Sequence, residues 1–300
     1  YGLLEELGMQ QTFDSAQVSI LKESSQYLNS ELNKSRSKTL VVLIHGFNDP
    51  NPSADYNRLR NKIGTTVEDN DFVYLEIYWN GLTANQGHPG KSKIWGPAQY
   101  NSCESAVTLR LLLNQITKGT NVRIIAHSTG ASLATSALFN TTSKWKNMDK
   151  FPRYSKLLEN IPAPNHLKVH LGFLAPAIPG VSTFLDFNKR GDDSFSVAKN
   201  NIKKIIVGYN CNDYAVTKRL FGKDYLSNKF GSTSLGANHK NEIENTRKVL
   251  VDSGYSPSIL LDVPFNQFDC KSEKEEHGVY YFMLINEVFN SYLREVFISK

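Results

Sequence analysis

The sequence predicts an α/β protein built on one doubly wound, mostly parallel sheet of about six strands, with helices on both faces in three layers. Two observations lead there. Short apolar runs alternate with longer helix-patterned stretches along the chain. The runs are continuous and β-branched, T-L-V-V-L-I at 39–44 being the clearest, and strands buried on both faces read this way.

The elements follow in order. Leu3 to Asn33 reads as helical, with Leu3, Leu4, Leu7, Val18, Leu21, Leu28 and Leu32 giving a rough apolar face. Lys34 to Lys38 is a polar break, and Thr39 to Ile44 is the first strand. His45-Gly46-Phe47-Asn48 follows, with a glycine that lets the backbone turn. Asp49 to Ser53 is a loop, then a helix runs from about Ala54 to Gly64. Phe72 to Trp79 is the second strand. Asn80 to Pro97 reads as a glycine-rich loop whose Trp79, His88 and Trp95 suit either a pocket rim or aromatics tucked into the core. Gln99 to Ile116 is helical, Asn121 to Ala126 is the third strand, and a helix from near Thr129 reaches about Phe139.

Asn140 to Asn165 is polar, basic and proline-bearing. Leu167 to Leu174 gives the fourth strand, stopped by Ala175-Pro176. Ile202 to Tyr209 is the fifth and Ser258 to Val263 the sixth, with a helix from Asn241 to Asp252 between them. Phe265 to Glu276 is a loop, and Gly278 to Ser299 is the last helix, with polar Asn286, Asn290 and Arg294 on one face. There is no repeat, low-complexity tract or inter-domain linker. Residues 1–38 therefore read as an N-terminal helical segment packed on the domain, and 39–300 as a single α/β domain.

Composition narrows the function. Apolar residues at 40% and charged residues at 21% describe a globular chain rather than a disordered one. A dispersed net charge of +5 gives no footprint for nucleic acid. The densest basic stretch carries Lys144, Lys146, Lys150, Arg153 and Lys156 against Asp149, and reads as a solvated face. Cys103, Cys211 and Cys270 make no disulfide framework, and neither they nor the histidines have metal-ligand spacing. No metal or cofactor is expected. No apolar run is long enough to span a membrane. The compartment is not readable: a soluble protein, cytoplasmic or exported after loss of an N-terminal leader, is expected. The oligomeric state is not readable.

The chemistry centres on Ile124-Ile125-Ala126-His127-Ser128-Thr129-Gly130-Ala131. A strand runs into a small-residue helix with one serine at the corner, the setting of a nucleophile elbow. The sharp turn needs small residues two before and two after the serine, and Ala126 and Gly130 supply them. Ser128 would stand above the sheet edge beside free helix N–H groups, which favour developing negative charge. A serine is a weak nucleophile without a base, and the base needs an orienting partner.

In doubly wound sheets the functional groups collect at the carboxyl ends of the strands. His277, past the last strand, is the candidate base, with His239 in reserve. Asp213 in N-C-N-D, past the fifth strand, is the candidate acid; Asp269 is its rival, and Asp252 and Asp262 lie inside elements. His127 points away from its neighbour and reads as packing or pocket wall. His45, His88, His166 and His170 read as ordinary structural or surface histidines.

With these residues in place the chain resembles an α/β-hydrolase of the lipase/esterase kind. H-G-F follows the first strand, A-H-S-T-G forms the elbow, and Ser128, Asp213 and His277 keep that family's Ser…Asp…His order. It is further similar to poorly characterised bacterial serine hydrolases with an H-G-F-N start, an L-A-P-A-I strand end and an ending like H-G-V-Y-Y. The resemblance covers roughly Leu40 to Ser299. It departs in Ala126 for glycine, in two missing early strands and in the lack of a clear cap domain.

The resemblance implies an esterase-like serine hydrolase. Ser128 would be the nucleophile, His277 the base and Asp213 the orienting acid, with the backbone N–H groups of Phe47 and Thr129 as oxyanion hole. The partner would be a small-molecule acyl substrate. A lipase, thioesterase, amidase or acyltransferase would use the same triad, and a catalytically silent fold used for binding is the alternative of another class. A dinucleotide site is excluded, because no G-x-G-x-x-G follows a strand.

Overall fold

The computed structural model describes residues 15–68, 71–81, 90–139, 161–184, 201–211, 213–217, 219–220, 223–224, 234–265, 277–284 and 286–298. Strands β1 (Thr39–Ile44), β2 (Val73–Ile77), β3 (Asn121–His127), β4 (Lys168–Leu174), β5 (Ile202–Tyr209) and β6 (Leu260–Pro264) form one sheet in the order β2-β1-β3-β4-β5-β6. Each neighbouring pair is parallel. The order reverses between β1 and β3, which run side by side with Ile44 opposite Ala126. This places the residues after both strands at the switch point, where such sheets hold their sites.

Alternation along each strand divides the core in two. Leu40, Val42, Ile44, Ile124 and Ala126 face one side, packed with Leu113 of α3 (Gly90–Asn114), Leu133 of α4 (Gly130–Phe139) and Leu250 of α7 (Glu242–Asp252). Val41, Leu43 and Ile125 face the other, packed with Tyr56, Leu59 and Ile63 of α2 (Pro52–Thr66). Phe282 of α8 (Val279–Leu284) and Phe289 of α9 (Asn286–Phe297) complete that side. The protein is therefore a three-layer α/β structure, and the continuous apolar runs are what a sheet covered on both faces demands. Short helices α5 (Val181–Phe184) and α6 (Tyr214–Thr217) follow β4 and β5, and a two-residue antiparallel ladder follows α6.

Helix α1 (Ser15–Lys34) docks through Leu21, Leu28 and Leu32 into the first core. Burying each such side chain contributes about 1.5–3 kcal/mol. Polar ties add direction: Asn29 Nδ2 donates to the Gln115 carbonyl at 2.9 Å, and Thr117 N–H donates back to Asn29 Oδ1 at 2.9 Å.

Boundaries differ from expectation in three places. The second strand is shorter, Val73–Ile77, and only half-buried, because at the sheet edge it has a single partner strand. The glycine-rich stretch is helical from Gly90 onward, although Gly96 and Pro97 read as breakers; a proline removes one donor, which a helix of 25 residues absorbs. The last helix is described as α8 and α9, on either side of residue 285. The expected loop residue His88 and the stretch 140–160 lie outside the described residues.

Candidate active site

The site forms where β1 and β3 end. Ser128 follows β3 directly and adopts φ 53°, a conformation rare for a side chain of its kind. Its N–H donates to the Leu174 carbonyl at 2.9 Å, and its own carbonyl accepts from Ala177 N–H at 3.0 Å and Ala131 N–H at 3.2 Å. The strain is thus held by bonds to the end of β4 and to the start of α4. Two glycines make the close approach. A Cβ on Gly130 would stand 2.6 Å from the His45 carbonyl oxygen, and one on Gly46 would stand 2.9 Å from Ser128 Cβ. Neither space admits a methyl group, so the strand-to-helix corner is pressed against the end of β1.

Asp213 arrives from the end of β5 and is fully buried. Its Oδ1 accepts from Ala215 N–H at 2.8 Å and Val216 N–H at 3.2 Å. Its Oδ2 lies 2.6 Å from His277 Nδ1. The other ring nitrogen, Nε2, lies 2.6 Å from Ser128 Oγ. A carboxylate accepts, so Nδ1 carries the proton and Nε2 presents its lone pair to the serine hydroxyl. The imidazole is 21% exposed while the carboxylate has no exposure, so the chain runs from the interior toward the surface. The structure brings together three side chains from the ends of β3 and β5 and from the start of α8.

The two expected oxyanion donors are also neighbours. Phe47 N–H, past β1, donates to Thr129 Oγ1 at 3.3 Å, and Thr129 begins the turn into α4. A bond of that length is near the outer limit for N–H donors, so exchanging it for a charged oxygen costs little.

Behind this front sits a layer that sequence reasoning left to packing, without a part in the chemistry. His45 Nδ1–H donates to the Gly46 carbonyl at 2.8 Å, and Trp79 N–H donates to His45 Nε2 at 3.3 Å. This pairing fixes a neutral ring, and burial lowers its pKa. Trp79 stacks on it at 5.5 Å and its indole N–H donates to the His45 carbonyl at 2.9 Å, so Trp79 is tucked into the core rather than on a rim. His127 is buried, and its Nε2 lies 2.7 Å from the His277 carbonyl oxygen.

The remaining candidates fall elsewhere. Asp262 pairs with Arg247 at 2.7 Å, away from the serine, and Asp252 ends α7. Asp269 and the side chain of His239 lie outside the described residues. His166 and His170 bond the carbonyls of Ile116 and Val296, structural roles as expected. Cys211, two residues before Asp213, is disulfide-bonded. A single cross-link is more than the spacing of the three cysteines predicts. Among the described residues no cluster of histidine, cysteine and carboxylate could hold a metal, and no helix is long and apolar enough to cross a membrane.

An all-parallel sheet in this order, with a strained serine at the strand–helix corner beside the switch point, is an α/β-hydrolase fold, and the family comparison supports assignment to that superfamily. The family model that matches is described as "Alpha/beta hydrolase of unknown function (DUF900)", and it covers residues 21–161. That stretch holds Phe47, Ser128 and Thr129 and ends before Asp213 and His277. No curated protein matches the chain.

Proposed function

We propose that this α/β-hydrolase is a serine hydrolase that cleaves carboxylic esters through an acyl-serine intermediate. The observation that carries the reading is the unbroken path from Ser128 Oγ through His277 to Asp213, with both links at 2.6 Å. These are the distances at which a base takes a proton from a nucleophile and an acid holds the base.

The chemistry follows from the geometry. Ser128 Oγ attacks the ester carbonyl carbon while its proton passes to His277 Nε2. The imidazolium that forms is stabilised by Asp213, whose second oxygen is already satisfied by the Ala215 and Val216 N–H groups. The carbonyl oxygen becomes negative and is met by the backbone N–H groups of Phe47 and Thr129. One such donor is worth about 3–4 kcal/mol in the transition state. Collapse of the adduct expels the alkoxide, which takes the proton from His277 Nε2 and leaves as the alcohol. Water then attacks the acyl-serine, giving its proton to His277, and the carboxylic acid is released as Ser128 recovers its proton.

A screen of short p-nitrophenyl esters tests the reading. Turnover by the native protein, absent from a folded Ser128→Ala variant, is expected. Turnover that persists in the variant would place the chemistry elsewhere, and turnover of acyl-amide or thioester substrates alone would change the class of bond cleaved.

A further inference from the structure

His127 is buried one residue before the nucleophile, and the chemistry above does not use it. Strand alternation sends its side chain toward the face of Ile125, away from that of Ala126. Ile125 packs with Val279 and Phe282 of α8 on that face. His127 and Val279 line one small pocket there, with His45 and Leu174. The segment carrying His277 therefore passes directly over the His127 ring. The two imidazoles are 4.8 Å apart at 41°. His127 Nε2 lies 2.7 Å from the backbone carbonyl oxygen of His277. A carbonyl only accepts, so Nε2 must carry the hydrogen. Burial, with the His277 ring nearby, lowers the pKa of His127 to about 3. A neutral ring has one N–H, and this carbonyl receives it.

We propose that His127 is a positioning residue: its Nε2–H anchors the main chain of His277 and so fixes the base between Asp213 and Ser128. This rests on the triad reading given above. Two bonds hold the ring of His277 at its nitrogens, but neither fixes the depth of the backbone that carries it. The third bond does. It ties the base to β3, the strand that also presents Ser128, so nucleophile and base are set from the same rigid element. On the opposite side, a Cβ on Gly46 would stand 2.9 Å from His127 Nδ1, so the ring also touches the loop of the expected oxyanion donor. One buried imidazole thus contacts the segments of base and oxyanion hole at once.

The test compares His127→Gln with His127→Asn and His127→Met in the full chain. A glutamine amide can place an N–H at the depth of Nε2; asparagine falls one carbon short, and methionine fills the space without a donor. The first readout is the downfield proton resonance of the Nδ1–H shared by His277 and Asp213, which does not require turnover. It is expected in the native protein and in the glutamine variant, and lost in the asparagine and methionine variants. The second is ester turnover. The latter two variants should lose about 100-fold in kcat, the scale of an ångström-size misplacement, with KM within about twofold. The glutamine variant should keep most of it. A resonance that survives in the asparagine and methionine variants, or is lost equally in all three, overturns the proposal, as does its absence from the native protein. A native protein with the expected resonance pattern but no hydrolysis sinks the esterase reading and leaves the positioning role standing.

Discussion

Gly130 in the elbow and His45 at the end of β1 approach so closely that a Cβ on the glycine would meet the histidine carbonyl oxygen at 2.6 Å. Both partners are backbone, so neither can step aside. Gly130→Ala should push the start of α4 off β1, carrying Ser128 and Thr129 with it. A destabilisation of about 1–3 kcal/mol is expected from such overpacking. The loss of ester turnover should exceed what the unfolded fraction explains. Denaturant titration with turnover on the same samples separates the two.

Asp213→Asn should leave the fold intact and lower kcat by about four orders of magnitude, because an amide in place of the carboxylate favours the wrong histidine tautomer. The buried carboxylate also accepts two backbone N–H groups, which the amide oxygen can still satisfy. Turnover near the native level in this variant, with Asp269→Asn inactive instead, would move the orienting role to Asp269.

The strands are legible because the interiors of β1 and β3 are apolar, β-branched-rich runs broken by Arg123, and two-faced burial explains that pattern. Ser128 is legible because small residues must flank a strained corner. Asp213 and His277 can be ranked only by their place after strands, since nothing local marks a carboxylate that will meet an imidazole 64 residues away. The contact of His127 is hidden for the same reason: its partner is a carbonyl 150 residues on, and main-chain acceptors leave no mark on a sequence. The start of α3 escapes the sequence because Gly96 and Pro97 are penalties of local propensity, which a long helix can outweigh.

Arg110 of α3 is fully buried, and it donates to the carbonyls of Ser136, Ala137 and Ile161 at 2.7, 2.7 and 3.0 Å. Ser136 and Ala137 lie in the last turn of α4, where carbonyls lack helical partners and negative potential collects. Arg110→Met should fill the volume but strand these acceptors, costing about 1–3 kcal/mol for each carbonyl left unsatisfied. A change below about 1 kcal/mol in denaturant titration would mean that water replaces the guanidinium freely.

Acid sensitivity should come from buried neutral histidines. The pKa of His127 is held down to about 3 and that of His170 to about 4, mainly by burial, against an ordinary value of 6.5. Unfolding frees both to take a proton below 6.5, while the folded protein takes none until the lower values. Stability is therefore fully present above pH 6.5 and falls as pH drops from there toward 4 and then 3. His170→Asn keeps a donor at the depth of Nδ1 for the Val296 carbonyl and should flatten the upper part of that slope. An unchanged slope in chemical denaturation between these pH values would assign the acid sensitivity to other groups.

The central claim is that Ser128 is a nucleophile activated by His277. Reaction with a fluorophosphonate tests it most directly, because the reagent forms a covalent bond only with an activated serine and needs no knowledge of the substrate. Intact-mass measurement should show one phosphonyl group per chain, and peptide mapping should place it on Ser128. Ser128→Ala should take up none, and His277→Ala should react far more slowly. A native protein that stays unlabelled, or a label that persists in folded Ser128→Ala, would contradict the account.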